Sequence, residues 1–152
     1  MTDECIFCGI AAHEVPSFAI YEDQDYMAFL DIFPNIEGMT VVIPKRHLGS
    51  YFFDMEDEES AGYMKVVKKV ALMLEKGLGV KRVHLVFEGT GINHLHAKLY
   101  PAIGLEDKDK PVFAKEIVKF EAYEGYVTTL LGPRADDKEL AGLKERIINA
   151  NK

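Results

Sequence analysis

Short apolar runs separated by polar turns occupy the first third of the chain. Phe18 to Tyr21 and Tyr26 to Leu30 are two such runs, and the polar segment Glu22 to Asp25 separates them. Runs of this length and spacing are typical of a β-hairpin. The following segment, GMTVVIPKRH, predicts a third strand that ends at Pro44 and leaves Lys45 to His47 beyond its end.

The pattern then changes to the spacing of a helix. Apolar residues recur at intervals of three and four, at Tyr63, Val66, Val67, Val70 and Leu74. This spacing predicts an amphipathic helix over about residues 56–76. Asp54 or Asp57 is the expected N-cap, and Gly77 and Gly79 are the expected end of the helix.

The second half of the chain predicts further strands and a last helix. VKRVHLVFEG and INHLHAKLYP read as two strands joined by a turn around Gly89 to Gly91, and they are expected at the centre of an antiparallel sheet. KEIVKFEAY fits another strand. DDKELAGLKERIINA predicts a C-terminal helix capped by Asp136 or Asp137. With no repeat and no long linker, residues 1–152 are expected to form one α+β domain, an antiparallel sheet with one central and one C-terminal helix.

Composition and charge narrow the classes of function. The 152 residues are 48% hydrophobic and 28% charged, which is ordinary for one globular domain. The sequence contains no apolar run of about 18 residues and no signal-peptide pattern at its start, so we expect a cytoplasmic protein without a membrane span. The formal net charge of -7 argues against a nucleic-acid groove, because such grooves are rich in Lys and Arg. Any phosphate ligand is therefore expected to be small.

Both cysteines lie in one C-x-x-C motif, Cys5 and Cys8. In a reducing compartment this motif indicates a redox pair or half of a metal site. The motif precedes every long periodic segment, which favours the metal half-site, and the alternative is two small buried side chains. The imidazoles available to complete a site are His13, His47, His84, His94 and His96.

The segment GINHLHAKLYP spaces three basic residues two apart. In a strand, His94, His96 and Lys98 would share one face. Three charged groups so close together would repel, which favours an imidazole that is neutral or bound to metal. The alternative is a solvent-facing strand that happens to carry two histidines.

Three segments, CIFC, FLDIFPNIEGMTVVIPKRH and GINHLHAKLYP, occur in the order typical of one protein family. Over about residues 5–101 the chain resembles the histidine-triad, or HIT, superfamily, whose motif is His-x-His-x-His followed by two apolar residues and a proline. Counting back from Pro101 places His94 first and His96 second, with Lys98 in place of the third histidine. Further departures from the family pattern occur at Met39, Thr90 and Gly91.

The resemblance implies a HIT-like fold and a nucleotidyl hydrolase. Its substrate would be a nucleoside phosphate with a phosphoanhydride or phosphoramidate bond, such as a dinucleoside polyphosphate or an adenylylated amine. His96 would attack the α-phosphorus and form a covalent nucleotidyl-histidine. Lys98 is expected to stabilise phosphate charge rather than to donate a proton, and the alternative is a solvated lysine at a strand end. The other functions left open are nucleotidyl transfer to phosphate or a sugar phosphate, and a non-catalytic nucleotide-binding regulatory dimer.

Zinc-bearing branches of the family imply a structural zinc. Its ligands here would be Cys5, Cys8, His47 and His94, a set that zinc accepts and that leaves no open coordination position. The alternative for His47 is a surface histidine beside two basic residues.

The resemblance also suggests which residues bind the nucleotide and how the protein assembles. Asp31 would accept hydrogen bonds from the ribose hydroxyls, and Phe29 and Ile32 would face the base. The segment from Thr90 and Gly91 to Asn93 would cradle phosphate. Each of these residues has a turn or core position as its alternative. The family commonly forms two-fold homodimers, and the apolar stripe of the central helix is the candidate surface, unless that stripe is internal core.

Overall fold

The computed structural model describes residues 5–105 and 134–152, and its elements confirm the α+β class. The strands are β1 (Phe18–Glu22), β2 (Tyr26–Leu30), β3 (Thr40–Pro44), β4 (Val83–Val86) and β5 (Ala97–Pro101). They pair antiparallel in the order β1-β2-β3-β5-β4. The helices are α1 (Ile6–Ala11), α2 (Asp57–Leu78) and α3 (Asp137–Asn149), with a short 3-10 turn at Phe52–Asp54. Within these ranges no helix has the length and apolar character needed to cross a membrane.

The hairpin and the third strand match the sequence pattern. The Asp23 carboxylate accepts hydrogen bonds from the backbone N–H groups of Asp25 and Tyr26, at 2.9 and 2.7 Å, and so closes the turn between β1 and β2. Pro44 ends β3 as predicted, opposite Tyr26.

The central helix α2 begins and ends close to the predicted positions. Its N-cap is Glu56, whose side chain makes no capping hydrogen bond, so the prediction of Asp54 or Asp57 as the cap is wrong. Instead, three acidic residues in the first turn stabilise the start of the helix, because their negative charges lie at the positive end of the helix dipole. The helix stops at Gly79, which adopts the left-handed conformation with φ 67°.

Gly77 has a different role from the predicted one, because it lies inside α2. A Cβ atom at this position would stand 2.7 Å from the Ile147 Cα of α3. The glycine therefore permits close packing of the two helices. Asp136 caps α3 as predicted, since its side chain accepts hydrogen bonds from the N–H groups of Lys138 and Glu139.

The two faces of the sheet bury different clusters. Helices α2 and α3 cover one face, where Ala28, Leu30 and Val42 are buried with the apolar stripe of α2. This stripe is internal core, so it is not the dimer surface that the sequence suggested. The other face packs against α1, and its cluster consists of Phe7, Ile10, Met27, Phe29, Val41 and Ile43.

Two predictions about β4 and β5 are wrong. Among the described strands β4 lies at the edge of the sheet and not at its centre. Strand β5 begins at Ala97, so His94 and His96 precede it. The backbone N–H of Leu95 donates to the Leu48 carbonyl, 2.9 Å away, instead of joining the ladder.

The alternation of side chains nevertheless continues through this segment. Leu95, Ala97 and Leu99 pack in the core beneath α2, whereas His94 and His96 face α1 on the opposite side. The predicted strand KEIVKFEAY lies outside the described residues, and the single domain over residues 1–152 stays a prediction.

Candidate functional site

Four potential metal ligands converge from three parts of the chain. Cys5 precedes α1 and Cys8 lies in it, His47 follows β3, and His94 precedes β5. Their ligand atoms all lie within 4.8 Å of one another. The Cys8 Sγ lies 3.3 Å from His47 Nδ1 and 3.5 Å from His94 Nδ1, and the Cys5 Sγ lies 3.4 Å from His94 Nδ1.

These distances suit a tetrahedral ion. Sulfur and nitrogen ligands at zinc bond lengths stand about 3.5 Å apart. Burial, the hydrogen bond with Cys5 and the Cys5 charge raise the pKa of the Cys8 thiol, and a bound cation would offset all three effects. The group can therefore hold a metal. His13 and His84 lie elsewhere, because His13 pairs with Glu22 and His84 is exposed on β4.

The ring of His94 is oriented for this role. It is fully buried, and its Nε2 donates a hydrogen bond to the Pro44 carbonyl at 2.9 Å. A carbonyl only accepts, so Nε2 carries the hydrogen and the neutral ring presents the Nδ1 lone pair to the two sulfurs. Burial lowers the pKa of His94, which favours this neutral form.

His96 is oriented in the opposite sense. Its Nδ1 donates to the backbone carbonyl of His94 at 2.7 Å, so Nε2 of the neutral ring keeps its lone pair. The residue is only 3% exposed. Burial lowers the pKa of His96, while the bond to the His94 carbonyl acts in the opposite direction. The result is a neutral imidazole whose Nε2 carries a lone pair.

Phe7 packs between the four potential metal ligands and His96, and the sequence analysis did not identify it as a site residue. Its ring meets the His94 and His96 rings edge-on, with centroids 5.8 and 5.3 Å away. It also packs on Phe29 at 5.7 Å, so Phe29, the predicted base-facing residue, is buried against α1. The signal in the sequence was an aromatic residue inside the C-x-x-C motif, but its spacing alone does not reveal these contacts.

Lys98 is paired with a residue that sequence reasoning missed, Glu88. The ammonium and the carboxylate form a salt bridge, and their side chains are only 12% and 19% exposed. The alternative of a solvated lysine is therefore wrong. The charges of these groups also act on the His96 ring, where Lys98 lowers its pKa and Glu88 and Asp31 raise it.

The loops that carry the predicted nucleotide-binding residues are tied together. The Asn93 side-chain carbonyl accepts from the Ser50 N–H at 3.1 Å, and the Ser50 hydroxyl donates to the Gly89 carbonyl at 2.7 Å. A Cβ at Gly89 would approach the Ser50 carbonyl to 2.6 Å, so glycine is required there. Thr90 and Gly91 are exposed in this loop.

Asp31 follows β2, and one of its carboxylate oxygens accepts from the Phe33 N–H at 2.8 Å. Ile32 is 37% exposed beside it. A cavity of about 480 Å³ opens between this loop and α3 and includes Asp31, Met39, Lys138 and Arg146 in its lining. Of the described residues expected to form the nucleotide site, Asp31 lines this cavity and His96 and Lys98 do not.

Comparisons with known proteins identify the family of this chain. The family model for the HIT domain matches residues 12–101. The chain belongs to the HIT family.

Two relatives illustrate the range of the family. A HIT-like protein of Methanocaldococcus jannaschii is 39% identical over 102 residues, which cover 64% of this chain and 78% of the relative. The adenosine 5′-monophosphoramidase of Saccharomyces cerevisiae is 34% identical over 103 residues, covering 64% of this chain and 61% of the yeast protein.

Solved structures show the same fold. A protein of Sulfolobus tokodaii described as a hypothetical histidine triad nucleotide-binding protein superposes with a TM-score of 0.74 at 24% identity, covering 96% of this chain and 91% of the other. A zinc-bound histidine triad protein of Mycobacterium smegmatis gives 0.65 at 24% identity, covering 97% and 92%.

Proposed function

We propose that this protein is a nucleotidyl hydrolase that cleaves a phosphoanhydride or phosphoramidate bond of a nucleoside phosphate. The observation that carries the proposal is the orientation of His96, whose Nδ1 bond to the His94 carbonyl leaves Nε2 free to attack. The phosphoramidase activity in the name of the yeast relative supports this class of reaction. Dinucleoside polyphosphates and adenylylated amines are the two substrate types that fit.

The reaction proceeds in two displacements. The Nε2 lone pair attacks the α-phosphorus, a P–N bond forms, and the bond to the leaving group breaks with its electron pair on the departing oxygen or nitrogen. A departing amine takes up a proton from water. Water then attacks the phosphorus of nucleotidyl-His96 and releases a proton to the solvent, the P–N bond breaks with its electron pair returning to Nε2, and nucleoside monophosphate leaves.

Side chains near His96 would stabilise the charge of the phosphate and position the nucleotide. The Lys98 ammonium would stabilise the phosphate oxygens as the five-coordinate phosphorus forms. Asp31 has a second carboxylate oxygen available for the ribose hydroxyls, with Ile32 exposed beside it. The exposed residues Thr90, Gly91 and Asn93 would receive the phosphate chain.

We further propose that Cys5, Cys8, His47 and His94 hold a structural zinc ion. The converging sulfur and nitrogen atoms and the zinc-bound relative support this assignment. Bound zinc would supply only structural stabilisation, by fastening α1 to the segment that precedes β5, because four protein ligands fill its coordination sphere.

We propose a cytoplasmic homodimer, in keeping with the family resemblance. The apolar stripe of α2 is used in the core of the protomer, so a dimer must use another surface. Light scattering across a concentration series tests this, and a monomer at all concentrations would contradict it.

The experiment for the proposed reaction is intact-protein mass spectrometry after a brief acid-free quench. The wild type is incubated with diadenosine polyphosphate or with adenosine 5′-monophosphoramidate, and its mass is compared with those of His96→Ala and His84→Ala. His84 is an exposed histidine on β4 and serves as the matched control. We expect an increase of one nucleoside monophosphate in the wild type and in His84→Ala, and none in His96→Ala.

The outcome also separates the alternatives. Product formation by His96→Ala at the wild-type rate would overturn the covalent mechanism. Nucleotide binding without adduct or product in the wild type would favour the regulatory function instead. Loss of the adduct upon addition of phosphate or a sugar phosphate, with a new nucleotidyl product, would favour the transferase.

A further inference from the structure

Glu88 follows β4 and contacts Lys98, the residue on the neighbouring strand β5 that occupies the third position of the motif. Strands β4 and β5 are antiparallel, and Val86 lies opposite Lys98 in their register. Glu88 follows β4 by two residues, so continuing the same register would bring it opposite His96. Its carboxylate contacts the Lys98 ammonium diagonally across the pair of strands.

The Lys98–Glu88 pair is largely withdrawn from solvent. Both side chains are less than one fifth exposed. Ion pairs withdrawn from solvent are screened less by water and salt, so their charges interact more strongly than those of surface pairs. By comparison, the side chains of the Arg134–Asp137 pair at the start of α3 are more than half exposed. A lysine has a long flexible side chain, and a buried partner reduces the positions its ammonium can occupy.

The charges that act on His96 are of both signs. Lys98 contributes one positive charge, whereas Glu88 and Asp31 contribute negative charges, and all three act on the same ring. A carboxylate already bound to the ammonium competes with phosphate oxygens for the same N–H donors. An unopposed ammonium would instead hold a nucleoside monophosphate product tightly and slow its release.

We infer that Glu88 is a positioning residue of the site that holds the Lys98 ammonium beside His96 and limits how tightly it binds phosphate. The inference rests on the proposed function and extends it to a residue outside the motif. The pair Glu88 and Lys98 thereby takes the place of the third histidine.

The test uses Glu88→Gln, Glu88→Asp and the matched control Asp137→Asn, which removes the same charge from an exposed pair at the start of α3. Binding of adenosine monophosphate is measured by calorimetry, and turnover of adenosine 5′-monophosphoramidate is measured at steady state. For Glu88→Gln we expect product affinity to rise about 3- to 10-fold and kcat to fall about 10-fold without a matching rise in KM. Glu88→Asp should restore most of kcat, and Asp137→Asn should change neither quantity by more than about 2-fold.

A second pair of variants assigns the effect to Lys98. In a Lys98→Gln background, the Glu88→Gln substitution should no longer raise the affinity for adenosine monophosphate, since the ammonium is absent. An equal rise in both backgrounds, or Glu88→Gln values equal to those of Asp137→Asn, would overturn the inference while leaving the hydrolase proposal intact. A wild type that neither binds adenosine monophosphate nor turns over the phosphoramidate would overturn the proposed function and this inference together.

Discussion

The backbone carbonyl of His94 accepts a hydrogen bond from Nδ1 of His96 at 2.7 Å, while the His94 ring points its own Nδ1 at the sulfurs of Cys5 and Cys8. One residue thus contributes its side chain to the candidate metal group and its main chain to the proposed nucleophile. Anything that displaces His94 is expected to disturb the orientation of His96. The same arrangement explains why a metal that takes no part in the chemistry would still matter for the site.

Replacing Cys5 with serine should lower thermal stability because it removes one of the four proposed zinc ligands. With zinc present, we expect the melting temperature to fall by roughly 10 °C. Scanning calorimetry with and without a chelator measures this. The difference between wild type and Cys5→Ser should shrink once zinc is removed from both, and elemental analysis should show zinc only in the wild type. Unchanged melting and a wild type free of zinc would refute the assignment.

Replacing Phe7 with alanine should affect both stability and turnover. The substitution opens a cavity beside His94 and His96 and should cost about 3 kcal/mol of unfolding free energy. Ile10→Ala, in the same helix and the same buried cluster, is the matched control. Both variants should unfold at lower denaturant concentration, but only Phe7→Ala should reduce kcat well below the melting temperature. Equal kcat values for the two variants would show that Phe7 only fills space.

Tyr63→Phe should weaken the fold without changing the chemistry. The buried hydroxyl donates to the Val42 carbonyl at 2.7 Å, which links α2 to β3. Loss of this bond removes a donor from a buried carbonyl and should cost about 1 to 3 kcal/mol. Tyr26→Phe keeps the ring stack with Tyr63 and should cost less. Urea unfolding measures both values, and a Tyr63→Phe protein as stable as the wild type would contradict the prediction.

Glu22→Gln should make stability less sensitive to acid. The hydrogen bond from Lys45 lowers the pKa of Glu22 from its usual value of 4.5, and His13 acts in the same direction. Because the folded-state pKa is the lower one, its contribution is present above the usual value and is lost as the pH falls through the folded-state pKa. The group is one third exposed, so this contribution should be below about 1 kcal/mol.

The measurement for Glu22 is unfolding free energy between about pH 6 and pH 3, in chelator so that zinc release does not contribute. The wild type should lose more stability over this range than Glu22→Gln. Glu14→Gln, at an exposed position nearby, should follow the wild-type curve. A Glu22→Gln curve parallel to that of the wild type would show that the pair with Lys45 does not stabilise the folded state.

Much of the fold follows from local patterns in the sequence. The alternating runs predicted β1 and β2 with nearly correct bounds, and the spacing of Tyr63 to Leu74 predicted the buried stripe of α2, because one face of each element must meet the core. The order of the cysteine, proline and histidine motifs also indicated the family that the comparisons confirm. The strands and the helix depend on residues close together in the chain, so the periodicity of apolar side chains predicts them directly.

Tertiary structure alone decided the start of β5, the tautomers of His94 and His96, and the partner of Lys98. Each depends on an atom from a distant segment or on a main-chain group: the Leu48 carbonyl, the Pro44 and His94 carbonyls, and the Glu88 carboxylate. Every residue carries a carbonyl, so no sequence pattern marks which one will accept a given hydrogen bond. The sequence determined which side chains were available for the chemistry, and the packing of separate segments decided which nitrogen was left free to perform it.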